Sequence, residues 1–309
     1  MTTKEWFSIW LDDYAGRNIK LRTYARYREI IERHINPFFG EMQLEEVTAD
    51  DAGRFLSEKL ERGNLITGER LSASSVNSIL AVLKTAFDCA ADIELIIKSP
   101  CRGIKRVKSD EKEVEAFTVR EQKRIERAVI ISDDERLFGI ILCLYTGLRI
   151  GELLALTWEN LDFVKKTISV KKTICRVKDK YGIWREHIEN PKTRSSDRII
   201  PIPSVFMHTL REMKHQTLSG YVIENKGKNM AVRSYQFIFS SLLEKNDIRH
   251  RGFHSLRHTF ATRAVENGMD FKTLSEIMGH KNAMITINRY SHSMLETKRK
   301  ALNKLAKIY

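Results

Sequence analysis

Apolar side chains recur at helical spacing through the first hundred residues. Over residues 72–91, hydrophobic positions return every three or four residues, as on the buried face of a helix. Residues 21–35 have the same spacing, and this helix is predicted to end before Asn36-Pro37, because proline disfavours a helical conformation in the residue before it. The pattern predicts a small all-helical domain, with further helices over residues 3–14 and 49–60.

The pattern changes from about residue 117 onwards. An almost continuous apolar stretch over residues 135–145 predicts a buried helix. Strand-like alternation follows over residues 167–177, 184–188 and 199–202, and these three strands are predicted to form one antiparallel sheet. Helical spacing then returns, so the predicted fold class is mainly α with a small antiparallel β-sheet. The later helices are predicted at 204–218, 234–243, 254–266, 271–278 and 283–290, followed by an amphipathic tail helix at 293–307.

These patterns divide the chain into a helical domain over residues 1–97, a basic linker over 98–116 and a second domain over 117–309. The stretch 98–108 holds five basic side chains and no acidic one, together with Pro100 and Gly103. A connector that touches phosphate and a solvated linker both fit this composition.

The charge of the chain narrows the class of partner. The 309 residues include 53 Lys and Arg against 40 Asp and Glu, a net charge of +13. Residues 1–110 are neutral overall, so the whole excess lies in residues 111–309. Such a balance favours a polyanion, with nucleic acid as the first candidate and a merely solvated basic surface as the alternative. We find no run long enough to span a bilayer and no signal peptide, and so expect a cytoplasmic protein without a membrane partner.

The cysteines and histidines do not predict a metal site. None of the four cysteines forms a Cys-x-x-Cys pair, so we expect them to be reduced. His254 and His258 are four residues apart, as metal ligands on one helix face can be, but no His-Glu-x-x-His pattern or carboxylate cluster accompanies them. We therefore expect chemistry without a metal or another cofactor.

Five short polar motifs follow one another along the second predicted domain. Taken singly, each has an ordinary explanation as a helix-surface pair, a solvated turn, a helix C-cap or a packed tyrosine. In this order and at these spacings, they resemble the tyrosine recombinases, also called the phage integrase family. The motifs are Thr146-Gly147-Leu148-Arg149-Ile150-Gly151-Glu152, Pro191-Lys192-Thr193, His254-Ser255-Leu256-Arg257-His258, Gly279-His280 and Tyr290.

The resemblance covers nearly the whole chain and implies catalytic roles for six residues. Tyr290 would attack a DNA phosphodiester and form a 3′-phosphotyrosyl link, while Arg149 and Arg257 would clamp the non-bridging oxygens. Arginine suits that task because its planar fork makes bidentate, charge-assisted bonds. Glu152, three residues after Arg149, has two open interpretations: it orients that arginine, or it faces solvent on the next helical turn.

The other three implied roles concern protons and a hydrogen bond. Lys192, in a predicted hairpin between two strands, would protonate the leaving 5′-oxygen. His254 would assist proton transfer at the tyrosine. His280 would sit at a sharp turn after a helix, next to Gly279, and donate a hydrogen bond to the scissile phosphate.

Further basic residues are expected to lie on the DNA backbone. The densest excess is in residues 165–198, with eleven basic and four acidic side chains. Phosphate contacts of this kind make affinity fall as salt rises. The residues predicted to bind DNA are Arg22, Arg26, Lys105, Arg106, Lys171, Lys172 and Arg194.

The resemblance also implies a fold, a function and partners. The fold would be a helical core-binding (SAM-like) N-terminal domain followed by an α+β catalytic domain. The function would be site-specific recombination of double-stranded DNA, most like the integrases of phages and conjugative elements. We expect a homotetramer on DNA, a monomer when free, a location at the nucleoid, and an accessory directionality factor as a further partner to test.

Several alternatives stay open at this point. The same residues fit a Xer-like dimer resolvase and a type IB topoisomerase-like strand nicker, which would cut without exchanging partners. A catalytically inactive DNA-binding regulator is a third reading, although the set of six residues is intact. The tail helix could pack on its own domain or on a neighbouring protomer.

Overall fold

A computed structural model describes residues 1–108, 115–178, 183–189, 197–217 and 219–280, and the isolated positions 284, 287, 299, 302, 303 and 306. These residues are mostly helical, with short antiparallel strand pairings, and the predicted fold class is confirmed. Within them, no helix is both long enough and apolar enough to cross a membrane. The chain forms two compact units, Met1–Lys112 with Val177–Arg185, and Glu113–Arg176 with Glu186–Tyr309.

The first unit is a set of helices, three of which have N-termini capped by a side chain. Thr48 and Ser72 each accept a hydrogen bond from the backbone N–H three residues later, which satisfies one free donor of the helix that follows. The chain stays helical through Pro37, where a helix end was predicted, because this proline lies in the first turn of a new helix and needs no N–H there. The helices are α1 (Thr3–Ile9), α2 (Leu21–Ile30), α3 (Asn36–Phe39), α4 (Ala49–Arg62) and α5 (Ala73–Asp92).

Aromatic rings fill the core of this unit. Phe39 lies with its ring centroid 5.0 Å from that of Phe55, and Phe7 meets Phe87 edge to face at 5.5 Å. The indole N–H of the buried Trp6 donates to the carbonyl of Ala86 at 3.0 Å. Helices α1, α3, α4 and α5 thus share one apolar centre, as the spacing of their hydrophobic residues predicts.

Part of the predicted linker is folded onto the first unit. The side-chain amide of Asn77 donates to the carbonyl of Val107 and accepts from its N–H, both at 2.8 Å. Ile104 and Val107 pack against the core, and Cys101 is fully buried. Residues 109–114 are outside the described residues, and the predicted domain limits stay predictions.

The second unit is built around one helix that is buried on all sides. Every residue from Gly139 to Leu144 in α7 is buried, and α11 packs along this helix. The start of the unit is tied to α11 because Phe117 donates its N–H to Thr259 at 2.8 Å and accepts from Arg263 at 2.7 Å. The helices are α6 (Val119–Ile130), α7 (Phe138–Thr146), α8 (Ile150–Leu154), α9 (Met207–Gln216), α10 (Val232–Lys245), α11 (His254–Glu266) and α12 (Phe271–Met278).

The strands pair differently from the sequence prediction. β1, β2 and β5 form an antiparallel sheet in which Ile168 lies opposite Ile200, whereas β3 pairs separately with β4. The predicted strand 167–177 is broken at Lys171-Lys172, because Val170 already pairs with the first residue of β5 and the ladder ends there. The strands are β1 (Leu161–Asp162), β2 (Thr167–Val170), β3 (Thr173–Lys178), β4 (Trp184–Glu189), β5 (Arg198–Pro201), β6 (Glu224–Asn225) and β7 (Lys228–Asn229).

The last two predicted helices can be compared with the structure only at single positions. Residues 283–290 and the tail segment 293–307 lie outside the described residues, apart from six isolated positions. Each of those six positions is helical.

Candidate active site

A left-handed turn places Arg149 at the junction of two helices. Gly147 ends α7 with φ 65°, a conformation that glycine adopts readily and other residues rarely do. A side chain here would also collide with a neighbour, because an added Cβ would lie 2.6 Å from the ring of Phe260. The chain then enters α8 immediately after Arg149, which is the N-cap residue of that helix.

Glu152 holds Arg149 by both its backbone and its side chain. One carboxylate oxygen accepts from the backbone N–H of Arg149 at 2.9 Å, and the other accepts from its Nη1 at 2.7 Å. Glu152 is buried, whereas the Arg149 side chain keeps 37% exposure. Glu152 therefore orients Arg149, which was the first of the two interpretations from sequence, and does not face solvent.

A second arginine binds the same carboxylate. Arg198, the first residue of β5, donates from both terminal nitrogens to the two oxygens of Glu152, at 3.1 and 2.8 Å. Only 6% of each side chain is exposed. The sequence analysis counted Arg198 among the basic residues of the hairpin. The side chain is buried because Arg198 and Ile200 lie on the buried face of β5, whereas Ile199 and Pro201 are exposed.

The acidity of Glu152 reflects these partners. Burial by itself would raise the pKa of Glu152, but the hydrogen bonds and positive charges of Arg198 and Arg149 outweigh it and lower the pKa to about 2. The carboxylate is therefore ionised near neutral pH and offers both oxygens to the two guanidinium groups.

The end of α12 has the geometry predicted for a glycine C-cap. Gly279 takes a left-handed conformation with φ 63° and ψ 45°. Its N–H donates to the carbonyl of Glu276 at 3.1 Å, and the N–H of His280 donates to that of Ser275 at 3.0 Å. These two bonds close the helix and present His280 immediately after the turn.

Three arginines donate to three successive backbone carbonyls at the end of α12. Arg198 donates from Nε to the carbonyl of Ile277 at 2.6 Å, and Arg257 donates from Nη2 to that of Met278 at 2.5 Å. Arg149 completes the series with a longer contact, 3.5 Å, from Nη2 to the carbonyl oxygen of Gly279. The carbonyls at a helix C-terminus carry partial negative charge, so cationic donors are favourable there.

Arg257 reaches this turn from the neighbouring helix. It lies in the first turn of α11, is 2% exposed, and also donates to the carbonyl of Gly147 at 2.6 Å. His254, the first residue of α11, is exposed, and its ring meets that of His258 edge to face at 4.8 Å. The guanidinium of Arg257 thus links the turn before Arg149 to the turn before His280.

The structure brings together three of the six predicted catalytic residues at one place. Arg149, Arg257 and His280 meet at the end of α12, and His254 stands one helical turn before Arg257. Lys192 and Tyr290 lie outside the described residues. Sequence reasoning missed Arg198, because its partners Glu152 and Ile277 lie far from it in sequence.

The residues predicted to bind DNA are exposed wherever the structure describes them. Arg22 and Arg26 are four apart on α2 and so share a face of that helix. Lys105 and Arg106 precede the residue held by Asn77, and the pair at 171–172 lies between β2 and β3. Arg194 is outside the described residues.

The described residues contain no cluster of three or more His, Cys, Asp or Glu side chains placed to hold a metal ion. All four cysteines are free thiols. Cys101 is completely buried, and this burial raises its pKa to about 12, so the thiol keeps its proton at neutral pH.

The arrangement is suited to holding an anion. A guanidinium has five N–H donors, and carbonyl and carboxylate oxygens fix the orientation of Arg149 and Arg257 before any ligand arrives. Fixed donors that need no reorganisation are what stabilises charge developing on phosphoryl oxygens.

Two family profiles match the sequence of this chain. A sequence profile of the phage integrase family matches residues 115–296, and a profile of the phage integrase N-terminal SAM-like domain matches residues 2–60. Together they cover most of the chain.

Individual relatives are similar to this chain over most of their own length. The chain is 29% identical to a "Tyrosine recombinase XerC-like" protein of Caldanaerobacter subterraneus subsp. tengcongensis, over 100% of this chain and 84% of the relative. It is 25% identical to the ICEBs1 integrase of Bacillus subtilis, over 91% and 77%. The solved structure of the Tn1549 transposon integrase in complex with transposon right end DNA is 25% identical, covers 99% of this chain and 100% of its own, and has a TM-score of 0.81.

Proposed function

Because the chain belongs to the phage integrase family, we propose that it is a site-specific DNA recombinase that integrates and excises a mobile element. It cuts and rejoins DNA through a 3′-phosphotyrosine intermediate. The observation that carries the proposal is the meeting of Arg149, Arg257 and His280 at the end of α12, since these residues come from three separate parts of the sequence.

The chemistry assigns one step to each side chain. The Tyr290 oxygen attacks phosphorus as its proton leaves with the help of His254, the bond to the 5′-oxygen breaks, and Lys192 gives that oxygen a proton. Arg149 and Arg257 offset the negative charge on the non-bridging oxygens. Rejoining is the reverse: a 5′-hydroxyl attacks the phosphotyrosine, and the tyrosine oxygen leaves.

His280 and Glu152 support this step from either side of Arg149. His280 donates a hydrogen bond to the scissile phosphate, and its place right after the α12 turn brings it beside the carbonyl that Arg149 contacts. Glu152 touches no substrate and keeps the guanidinium of Arg149 in place. The phosphotyrosine conserves the energy of the broken bond, so no nucleotide cofactor is required.

The two parts of the chain divide the work on DNA. Residues 1–97 form the core DNA-binding domain, 98–116 the basic linker and 117–309 the catalytic domain, which ends in the tail helix 293–307. The exposed Arg22, Arg26, Lys105 and Arg106 bind backbone phosphates. Lys171, Lys172 and Arg194 do the same from the catalytic domain.

Double-stranded DNA is the substrate, and further copies of the chain are the main protein partners. Exchange between two duplexes breaks four strands, so four protomers assemble on DNA, whereas the free protein is a monomer. An accessory directionality factor biases integration against excision. The protein then acts at the nucleoid, where its target DNA lies.

One relative favours a second candidate function. The XerC-like protein is similar over the full chain, so a resolvase acting on two copies of one chromosomal site is the alternative. Recombination assays on plasmids separate the two functions. An integrase joins a site on the element to a different site on the target, whereas a resolvase recombines two identical sites in direct repeat.

The covalent intermediate provides the test of the proposal. A duplex nicked close to the cleavage position loses a short fragment after attack, so the enzyme stays trapped on the DNA. We expect an adduct that survives a denaturing gel with the wild-type protein and no adduct with Tyr290→Phe, which should still bind the duplex. Tyr221→Phe removes a hydroxyl from another tyrosine of the second unit and should form the adduct normally. An adduct of wild-type yield with Tyr290→Phe would refute the assignment.

A further inference from the structure

Arg198 connects two structural elements that each hold part of the candidate active site. Its fork binds both oxygens of Glu152, at 3.1 and 2.8 Å, while its Nε donates to the carbonyl of Ile277 at 2.6 Å. Glu152 belongs to α8 and Ile277 to α12, and Arg198 itself begins β5. One guanidinium therefore ties a helix, a strand and a second helix together.

Each of these two contacts leads directly to a residue of the proposed chemistry. Through Glu152, Arg198 reaches the carboxylate that holds the backbone and side chain of Arg149. Through Ile277, it reaches the turn whose next carbonyl accepts from Arg257 and which ends at His280. With only 6% of its side chain exposed, Arg198 is shielded from solvent and from a duplex on the surface.

We propose that Arg198 is a positioning residue, which fixes the α12 turn relative to Glu152 so that Arg149, Arg257 and His280 keep the arrangement that binds the scissile phosphate. This proposal rests on the proposed function and adds a residue that acts through others. Arg198 touches neither the substrate nor the reacting atoms.

The geometry requires arginine at this position. A guanidinium is a rigid plane, so its fork and its Nε can be used at the same time in fixed directions. The ammonium of lysine is a single point charge on a flexible stem, so it can balance the charge of Glu152 but cannot reproduce the fork and the bond to Ile277 together. Arg198→Lys therefore keeps the buried charge paired while it removes the geometry.

The chain provides a matched control for this substitution. Arg136 also forms a fork with a carboxylate, donating from Nε and Nη2 to the two oxygens of Asp134, both at 2.7 Å. It belongs to the same unit, but its pair lies in the turn just before α7 and includes none of the proposed catalytic residues. Arg136→Lys thus makes the same chemical change at a more exposed ion pair, whose side chains are 39% and 31% exposed.

The first measurement compares these variants on the nicked substrate at saturating DNA. We expect Arg198→Lys to form the adduct on the order of 10- to 100-fold more slowly than wild type. Its DNA affinity should match that of Arg136→Lys, which should react at the wild-type rate, and both rates are measured below the melting temperatures of the two variants. An unchanged adduct rate in Arg198→Lys would overturn the proposal.

The second measurement separates positioning from a general effect on folding. A methylphosphonate at the scissile position has a methyl group in place of one charged non-bridging oxygen, so it depends less on the two clamping arginines. We expect the loss caused by Arg198→Lys to be at least about threefold smaller on this substrate than on the natural phosphodiester. Equal losses on both substrates would indicate a merely structural role and would overturn the proposal.

A second variant keeps the test decisive if Arg198→Lys does not fold. Arg198→Gln leaves the carboxylate of Glu152 paired with Arg149, and it should show the same selective loss on the phosphodiester. The proposed function is checked separately by the wild type and Tyr290→Phe. If the wild type forms no tyrosine adduct, the proposed function fails; if it does and the Arg198 variants react normally, only the role of Arg198 fails.

Discussion

The active-site turn of the second unit and helix α2 of the first unit use arginine in opposite ways. In the second unit, Arg198 and Arg257 are buried, and each is held by carbonyl or carboxylate oxygens on different elements. In the first unit, Arg22 and Arg26 are exposed on one helix face. The same residue type therefore supplies fixed geometry at the active-site turn and surface charge on α2.

This difference shows which arginines have an orientation fixed well enough to stabilise a transition state. An exposed ion pair such as that of Arg33 with Glu29, at 3.4 Å, is screened by water and contributes little to stability. A buried guanidinium with several oxygen partners keeps one orientation, which is what charge stabilisation in a transition state requires. Net charge alone does not distinguish the two cases.

The largest effect is expected when Arg257 is removed. Arg257→Ala should abolish adduct formation and lower the free energy of unfolding by about 3 kcal/mol, because the carbonyls of Gly147 and Met278 lose a charged donor in a buried place. Arg26→Ala should change the free energy of unfolding by no more than about 0.5 kcal/mol. Urea denaturation of both variants measures this, and similar losses in the two would remove the contrast between the units.

The next effect, on stability alone, is expected from acid. The pKa of Glu152 is lowered from 4.5 to about 2 in the folded chain, so its ionised form stabilises the fold. That contribution, on the order of 3 kcal/mol, is fully present above about pH 4.5 and is lost as pH falls towards 2. The difference in unfolding free energy between wild type and Glu152→Gln should therefore shrink between pH 4.5 and pH 3.

The exposed Glu159 gives the control for this pH dependence. Glu159→Gln removes a carboxylate from the surface of the same unit and should leave the acid dependence of wild type unchanged. A wild-type advantage over Glu152→Gln that stays constant down to pH 3 would mean that the carboxylate is not held by its arginine partners.

The exposed arginines should affect affinity with little effect on chemistry. Arg22→Ala and Arg26→Ala should each reduce the slope of log affinity against log salt by about 1, since each phosphate contact releases counterions. Adduct formation at saturating DNA should keep its rate. Binding titrations at several salt concentrations check this, and an unchanged slope in both variants would place the DNA elsewhere.

The smallest effect is expected from metal removal. Charge on the phosphate is offset by guanidinium groups in the proposed mechanism, so EDTA should leave the adduct rate unchanged. Loss of cleavage in EDTA that Mg²⁺ restores would indicate a different mechanism.

Local features of this fold could be predicted from sequence, whereas features that depend on distant partners could not. The limits of α11 and α12 agree with the predicted 254–266 and 271–278, and Gly279 ends α12 as predicted. The contact of Arg149 with Glu152 could be proposed from sequence, because residues three apart share a helix face.

Strand pairing and the position of Arg198 depend on residues far apart in sequence. The apolar alternation of residues 167–177 does not indicate that β5 is only four residues long, so the prediction joined strands that belong to separate sheets. In the same way, the charge of Arg198 indicated a surface, and only its distant partners Glu152 and Ile277 explain its burial. The roles of Lys192 and Tyr290 stay predictions.

The central claim is that the guanidinium of Arg149, held by Glu152 and the end of α12, acts on the reacting phosphate, whereas the exposed arginines only bind DNA. Single-turnover adduct formation at saturating DNA tests it directly when Arg149→Lys is compared with Arg26→Lys. Both variants keep their positive charge. We predict a loss of at least about 100-fold for Arg149→Lys and the wild-type rate for Arg26→Lys. Equal rates for the two variants would contradict the account.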